Sequence, residues 1–247
     1  MSMDYWSFDM VKRIALLLLL SGAACSNQTP YATTVGVLDP GSTMTVRVGH
    51  ATLSAFHPAA GEPRNRFTVA VTAIGKASPP PAPRMRLGAH GVTVAAEDPL
   101  ANLLVRVPDG VSLVVDSRQG NVNVTDITGN AHIVSGNGDV QIMLPGYAEV
   151  KAGRGNVNVR MGATDWPGTL HLSTQRGDVE VWIRDRASFN VHLHTGNGMI
   201  FTNFNLRGMS NGSSETIDGK VNGGGQQGLD IESAAGAVRL LQLHPQP

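Results

Sequence analysis

A twelve-residue pattern recurs six times between Leu113 and Leu240. The copies read LVVDSRQGNVNV (113–124), AHIVSGNGDVQI (131–142), AEVKAGRGNVNV (148–159), LHLSTQRGDVEV (170–181), VHLHTGNGMIFT (191–202) and LDIESAAGAVRL (229–240). The eighth position is glycine in every copy: Gly120, Gly138, Gly155, Gly177, Gly198 and Gly236. The tenth is Val or Ile, the third Val, Ile or Leu, and the fifth Ser, Thr or Ala. One unit of this size cannot bury an apolar face alone, so the copies must stack on one another.

Within a copy, positions 1, 3 and 5 are apolar or small, whereas positions 2 and 4 are mostly polar. Strand side chains alternate faces, so the odd positions point inward. Positions 6–9 form a corner whose glycine suits a positive φ or a tight approach to the next rung. Positions 10 and 12 then point inward again. Each copy is thus two short strands joined by a sharp corner. Successive copies start 18, 17, 22, 21 and 38 residues apart. The last gap has room for an extra, degenerate coil around Thr216 to Val221 and for a loop at Gly223, Gly224 and Gly225.

Two all-β architectures fit: a right-handed parallel β-solenoid with one coil per copy, or an antiparallel β-sandwich with hairpins at Asn137-Gly138 and Asn197-Gly198. Equivalent positions keep one residue class in every copy, which favours like stacking on like, as in the solenoid. Rungs about 4.8 Å apart would make six copies a rod roughly 30 Å long. Upstream, alternation at Met44, Val46 and Val48, at Phe67, Val69 and Val71, at 92–94 and at 103–107 predicts further strands. Loops are expected at 57–66 and 75–84, and a turn at Pro108-Asp109-Gly110. Only 5% of residues are aromatic, so the core is aliphatic and β-branched. Formal net charge is zero, so no nucleic-acid partner is expected.

Residues 1–25 read as a signal peptide: Lys12 and Arg13, a seven-residue apolar run from Ile14 to Leu20, then small residues before Cys25. That run is too short to span a bilayer. Residues 1–9 fit neither part, so Met10 is a candidate start. Cys25 is the only cysteine, which excludes an internal disulfide. Its setting resembles the lipobox of bacterial lipoproteins, although Gly22 stands where the box usually has Leu. The resemblance implies acylation of Cys25, attachment to a membrane through lipid, and, with Ser26 following, sorting to the outer membrane. Residues 26–34 read as a polar tether and 35–243 as one domain.

The units Gly-Asn-Val-Asn-Val (120–124 and 155–159), Gly-Asp-Val-Gln-Ile (138–142) and Gly-Asp-Val-Glu-Val (177–181) follow Val107-Pro108-Asp109-Gly110-Val111. They precede Gly219-Lys220-Val221-Asn222-Gly223-Gly224 and the closing LDIESAAGAV. This order resembles the bacterial DUF4097-like "putative adhesin" family over roughly residues 35–243. The resemblance implies a β-helical envelope protein acting as a non-enzymatic binding, adhesin-like or scaffold module. It also allows a regulatory sensor of envelope stress. A carbohydrate-active enzyme is a third reading.

The second position of the copies reads Val114, His132, Glu149, His171, His192 and Asp230. Stacking in chain order would make His132, Glu149, His171 and His192 an outward ladder, with His194 beside His192. His171, His192 and His194 would be its tightest set. This face is the candidate recognition surface, for an envelope protein or a glycan. No second cysteine and no H-x-x-x-H spacing accompanies the histidines, so neither a metal nor a cofactor is expected. Asn121, Asp139, Asn156 and Asp178 are expected to cap corner N–H groups rather than bind calcium. Arg176-Gly177-Asp178 is explained by repeat geometry. No catalytic set is read from Asp116, Glu149, Glu180 and Glu232, which fall on different rungs and faces.

Overall fold

The computed structural model describes residues 32–73, 82–96, 101–207 and 209–244, and all of its regular structure is β. Seven strands precede the repeats: β1 (Ala32–Val37), β2 (Thr43–His50), β3 (Leu53–Phe56), β4 (Arg66–Ala73), β5 (Arg84–Gly88), β6 (Gly91–Ala96) and β7 (Ala101–Arg106). The first four repeats give β8 (Ser112–Gln119) and β9 (Val122–Thr125), β10 (Ala131–Asn137) and β11 (Val140–Leu144), β12 (Ala148–Arg154) and β13 (Val157–Met161), and β14 (Thr169–Arg176) and β15 (Val179–Arg184). The fifth gives β16 (Phe189–Thr195) and β17 (Ile200–Thr202). Then come β18 (Met209–Asn211) and β19 (Ser214–Val221), and the sixth repeat gives β20 (Gly228–Ser233) and β21 (Val238–Leu243). Among the described residues no helix is long and apolar enough to cross a membrane.

The strands form two mixed sheets with parallel centres; the larger is antiparallel at both ends, whereas the smaller is antiparallel at its β1 end and parallel at its β17 end. One has ten strands in the order β1-β4-β7-β3-β9-β11-β13-β15-β21-β17. The other has eleven, in the order β18-β19-β16-β20-β14-β12-β10-β8-β2-β6-β5. Every repeat gives its first strand to the larger sheet and its second to the smaller. Equivalent positions pair in register, so Ile133 lies opposite Val115 on one side and Val150 on the other. The Asn137-Gly138 and Asn197-Gly198 steps connect strands of different sheets, so they are corners and not the hairpins of the sandwich alternative. The third-position residues Val115, Ile133, Val150, Leu172, Leu193 and Ile231 are all buried, as are the tenth-position aliphatics.

Stacking does not follow chain order at either end. The sixth repeat lies between the fourth and the fifth: β20 pairs with β14 and with β16, and β21 with β15 and with β17. At the other end β2 and β3 form a repeat-like unit between the first repeat and the unit formed by β6 and β7. Antiparallel strands finish both ends. β5 pairs with β6, β4 with β7 and β1 with β4 at one end, and β19 with β16 and β18 with β19 at the other. The segment around Thr216 to Val221 is therefore the single strand β19 rather than an extra coil. Residues 32–34, expected in a polar tether, open β1, and Arg84, expected in a loop, opens β5. Three of the four outermost strands are short or charged, which limits further edge pairing, whereas β1 is six residues long and uncharged. β17 and β18 have three residues each, and β5 exposes Arg84 and Arg86.

The corners explain the repeat's fixed positions. Gly155 has φ +133°, and a Cβ there would lie 2.2 Å from the Gly138 carbonyl oxygen. Gly138, Gly177 and Gly236 repeat this contact with the glycine of the neighbouring rung. Gly198 lacks a positive φ, yet its Cβ would lie 2.1 Å from the Gly236 oxygen. Close backbone approach is thus the requirement common to the column. Three of the five fifth-position hydroxyls serve the same corners. Thr174 donates to the Gly155 carbonyl (3.1 Å), Ser233 to Gly177 (2.8 Å) and Thr195 to Gly236 (2.8 Å). The corner amides and carboxylates cap as expected, but each caps the next rung and not its own turn. Asp139 N–H donates to Asn121, Asn156 N–H to Asp139, Asp178 N–H to Asn156, and Ala237 N–H to Asp178. The last contact repeats the altered order, since Asp178 caps the sixth repeat.

Candidate functional site: a histidine–carboxylate face

The second position of every repeat points outward on the eleven-stranded sheet, so parallel registration brings these residues into one row. In spatial order the row runs Val114, His132, Glu149, His171, Asp230, His192 and Asp218, on β8, β10, β12, β14, β20, β16 and β19. From His132 onward histidine and carboxylate alternate. Three hydrogen bonds follow, each through Nδ1: His132 to Glu149 (3.1 Å), His171 to Asp230 (3.2 Å) and His192 to Asp218 (2.7 Å). The neighbouring row carries Ser173, Glu232, His194 and Thr216 on β14, β20, β16 and β19. His194 Nδ1 contacts Thr216 Oγ1 at 3.0 Å, and its ring stacks on His192 with centroids 6.4 Å apart.

All five expected residues of the surface, His132, Glu149, His171, His192 and His194, lie on this face and none enters the core. Their expected neighbours are corrected by the fold. His171 and His192 are not on adjacent strands, because β20 lies between them and places Asp230 opposite both. The set His171, His192 and His194 is therefore not the tightest cluster. Sequence reasoning missed Asp218 and Glu232. Asp218 was hidden because β19 is antiparallel and outside the repeat. Glu232 was hidden because its rung was placed last in the stack.

The electrostatics concentrate on His192. Its hydrogen bond to Asp218 raises its pKa above the ordinary histidine value; partial burial opposes this, and the charges of Asp218, Asp230 and Glu232 add to the rise. Donor atoms of His192, Asp230 and Glu232 all lie within 4.8 Å of one another. Asp230 Oδ2 meets His171, whereas Asp230 Oδ1 is buried without a hydrogen-bond partner among the described residues. A separate contact at the β1 end ties loop to turn: His57 and Arg64 both bond Asp109. These bonds, that of His57 first, hold the Asp109 carboxyl below the usual range.

The acidic residues weighed for catalysis do not converge. Asp116, Glu149 and Glu232 lie on the larger sheet on β8, β12 and β20. Glu180 lies on the smaller sheet, where it accepts from Asn158 (2.9 Å) and Trp182 (2.7 Å). No catalytic constellation is evident among the described residues. Cys25 and the other signal-like residues lie outside the described residues.

The model of the Toastrack DUF4097 family matches residues 109–241, which begins well after the start suggested by sequence resemblance. No curated protein matches the chain. Among solved structures, a "putative cell adhesion protein" from Clostridium sporogenes is similar over 87% of this chain and 100% of its own, with 10% identity and a TM-score of 0.47. A "putative adhesin" from Bacteroides fragilis covers 85% of this chain and 96% of its own, with 10% identity and a TM-score of 0.38. One from Parabacteroides distasonis covers 84% and 96%, with 8% identity and a TM-score of 0.22. Likeness at this level assigns no activity.

Proposed function

The chain belongs to the Toastrack DUF4097 family, and from that membership we propose a non-enzymatic cell-envelope protein that serves as a binding or scaffold module. Its recognition surface is the outer face of the eleven-stranded sheet. One observation carries this reading: the row from His132 to Asp218 keeps ionisable side chains on six adjacent strands. The next row is more mixed, with Val134, Lys151 and Ser173 on β10, β12 and β14. Stacked repeats use such continuous faces for extended recognition. The partner is an envelope protein or a glycan carrying charge.

The repeats that place one strand in each sheet support reading residues 32–243 as a single right-handed β-solenoid closed by antiparallel strands. Cys25 is its lipid anchor, the preceding residues its signal peptide and the polar stretch from Ser26 its tether. This puts the face on the periplasmic or outer surface of the outer membrane.

Two experiments test the proposal. Pull-downs from intact membranes compare the wild type with the triple variant His171→Gln, His192→Gln, His194→Gln. The partner is expected to be lost while circular dichroism stays unchanged, because all three rings lie off the core. Equal capture by both proteins, or turnover of a polysaccharide by the purified chain, overturns the reading. For anchoring, cells are labelled with radioactive palmitate, and Cys25→Ala is expected to abolish label and membrane association. An unlabelled, soluble wild type contradicts it.

A further inference from the structure

Pairing explains most of the histidine–carboxylate row, but not its last part. The His132–Glu149 contact is a simple pair, whereas Asp230 is shared between His171 and His192, and His192 faces three carboxylates. Asp218 lies opposite it on β19, Asp230 opposite it on β20, and Glu232 two residues further along β20 on the same face. We propose that His192, Asp230 and Glu232 form a binding site for a divalent first-row transition metal ion of the zinc class.

Four observations converge. First, the three donor atoms lie within 4.8 Å of one another, on two adjacent parallel strands whose register fixes their spacing. Bonds of about 2.0–2.2 Å from one ion place tetrahedral ligands roughly 3.4 Å apart, so the side chains need close by at most about 1.4 Å. Glu232 is exposed and free to make that movement. Second, one imidazole with two carboxylates is a mixed nitrogen–oxygen set, which suits zinc or nickel better than calcium or magnesium. Third, Asp218 Oδ1 holds His192 Nδ1 at 2.7 Å. That bond fixes the tautomer and leaves Nε2 as the ligand atom, the usual arrangement behind a metal-bound histidine. Fourth, Asp230 Oδ1 is buried and unpartnered among the described residues. A buried carboxylate oxygen without a partner is costly, and a cation satisfies it. Three protein ligands leave a fourth position for water or for a donor group of a binding partner.

The test is zinc uptake by the full chain carrying Cys25→Ala, so that no thiol contributes. Isothermal titration with zinc chloride near neutral pH is expected to give one ion per chain. His192→Gln and Asp230→Asn should each weaken binding more than tenfold, and Asp218→Asn by about tenfold through loss of ring orientation. His132→Gln, on the same face but in a simple pair, should change nothing. Substitution of cobalt should give the visible absorption of a low-coordinate nitrogen–oxygen site, lost in His192→Gln. Glu232→Gln, at an exposed position, supplies a second ligand variant if Asp230→Asn folds poorly. No stoichiometric uptake overturns the site. So does binding that survives His192→Gln, or equal competition by magnesium, which would mark a carboxylate cluster alone. Uptake is read without any partner, so failure here leaves the recognition face standing, and failure of the pull-down leaves the metal site standing.

Discussion

Replacing a corner glycine by alanine separates two strains that the repeat combines. At Gly155 both act. Its φ of +133° lies far from the left-handed well near +57°, and an added Cβ would meet the Gly138 carbonyl carbon and oxygen at 2.5 and 2.2 Å. These are backbone atoms of the adjacent rung, so no side chain can rotate away. The backbone strain costs about 1–3 kcal/mol. Forcing the rungs apart costs about 1–3 kcal/mol more. Gly155→Ala should therefore destabilise by roughly 2–6 kcal/mol. Gly212 has φ +66° with nothing within 4 Å, so Gly212→Ala carries only the backbone term, about 1–2 kcal/mol. Gly198 has no positive φ but meets the Gly236 oxygen at 2.1 Å, so Gly198→Ala carries only the contact term, about 1–3 kcal/mol. Urea denaturation of the three variants measures each term. Gly155→Ala within about 0.5 kcal/mol of the wild type would refute the argument, as would equal costs at Gly155 and Gly212.

Four further outcomes are expected. Ser233→Ala removes the buried donor to the Gly177 carbonyl and should cost about 1–3 kcal/mol in denaturant melts. Ser135→Ala removes a buried hydroxyl without a hydrogen-bond partner and should be neutral or slightly stabilising. The Asp178 carboxyl is held below its ordinary value by the Arg239 hydrogen bond first and by the Ala237 N–H next. A depressed carboxylate contributes stability above its unfolded pKa that is lost as pH falls through the folded one. The wild type should therefore lose more stability than Asp178→Asn on acidification below about pH 4, by under about 1 kcal/mol because the pair is half-exposed; parallel profiles would show that the pair contributes nothing. Ile133→Ala in the central stack should cost about 3 kcal/mol by cavity formation, and a far smaller loss would mean the core collapses around it.

How much of this was legible in the sequence depends on what each residue encodes. The inward and outward positions follow from a period of two, so Leu113, Val115 and Ser117 could be assigned to the core directly. The corner glycines could be assigned as well, since only backbone geometry keeps one residue type fixed while its neighbours vary. The stacking order could not. Each repeat presents much the same aliphatic and glycine surface to either neighbour, so pairwise preference does not distinguish the fourth from the fifth repeat as partner of the sixth. The 38-residue step from Val191 to Leu229 was the available signal, and β19 within it pairs antiparallel with β16. The unit of β2 and β3 escaped notice because Ala51 stands where the other corners have glycine; the Gly120 Cβ position meets its carbonyl oxygen at 2.2 Å. The candidate face was legible as a set of histidines. Its carboxylates Asp218 and Glu232 were not, because their places depend on that order.

The face exists in the form described only if the sixth repeat lies between the fourth and the fifth, and cross-linking measures this directly. Paired cysteines are introduced on the outer face in the Cys25→Ala background, oxidised, and mapped by mass spectrometry. Ser173 lies opposite Glu232, and Glu232 opposite His194. Adjacent strands place such Cα atoms about 4.8 Å apart, within disulfide reach, whereas Ser173 and His194 are two strands apart at roughly 9.6 Å. The pairs Ser173→Cys with Glu232→Cys and Glu232→Cys with His194→Cys should close. Ser173→Cys with His194→Cys should stay reduced. A disulfide in that third pair, with none in the first, would mean that the repeats stack in chain order and that the His192, Asp230 and Glu232 cluster does not form.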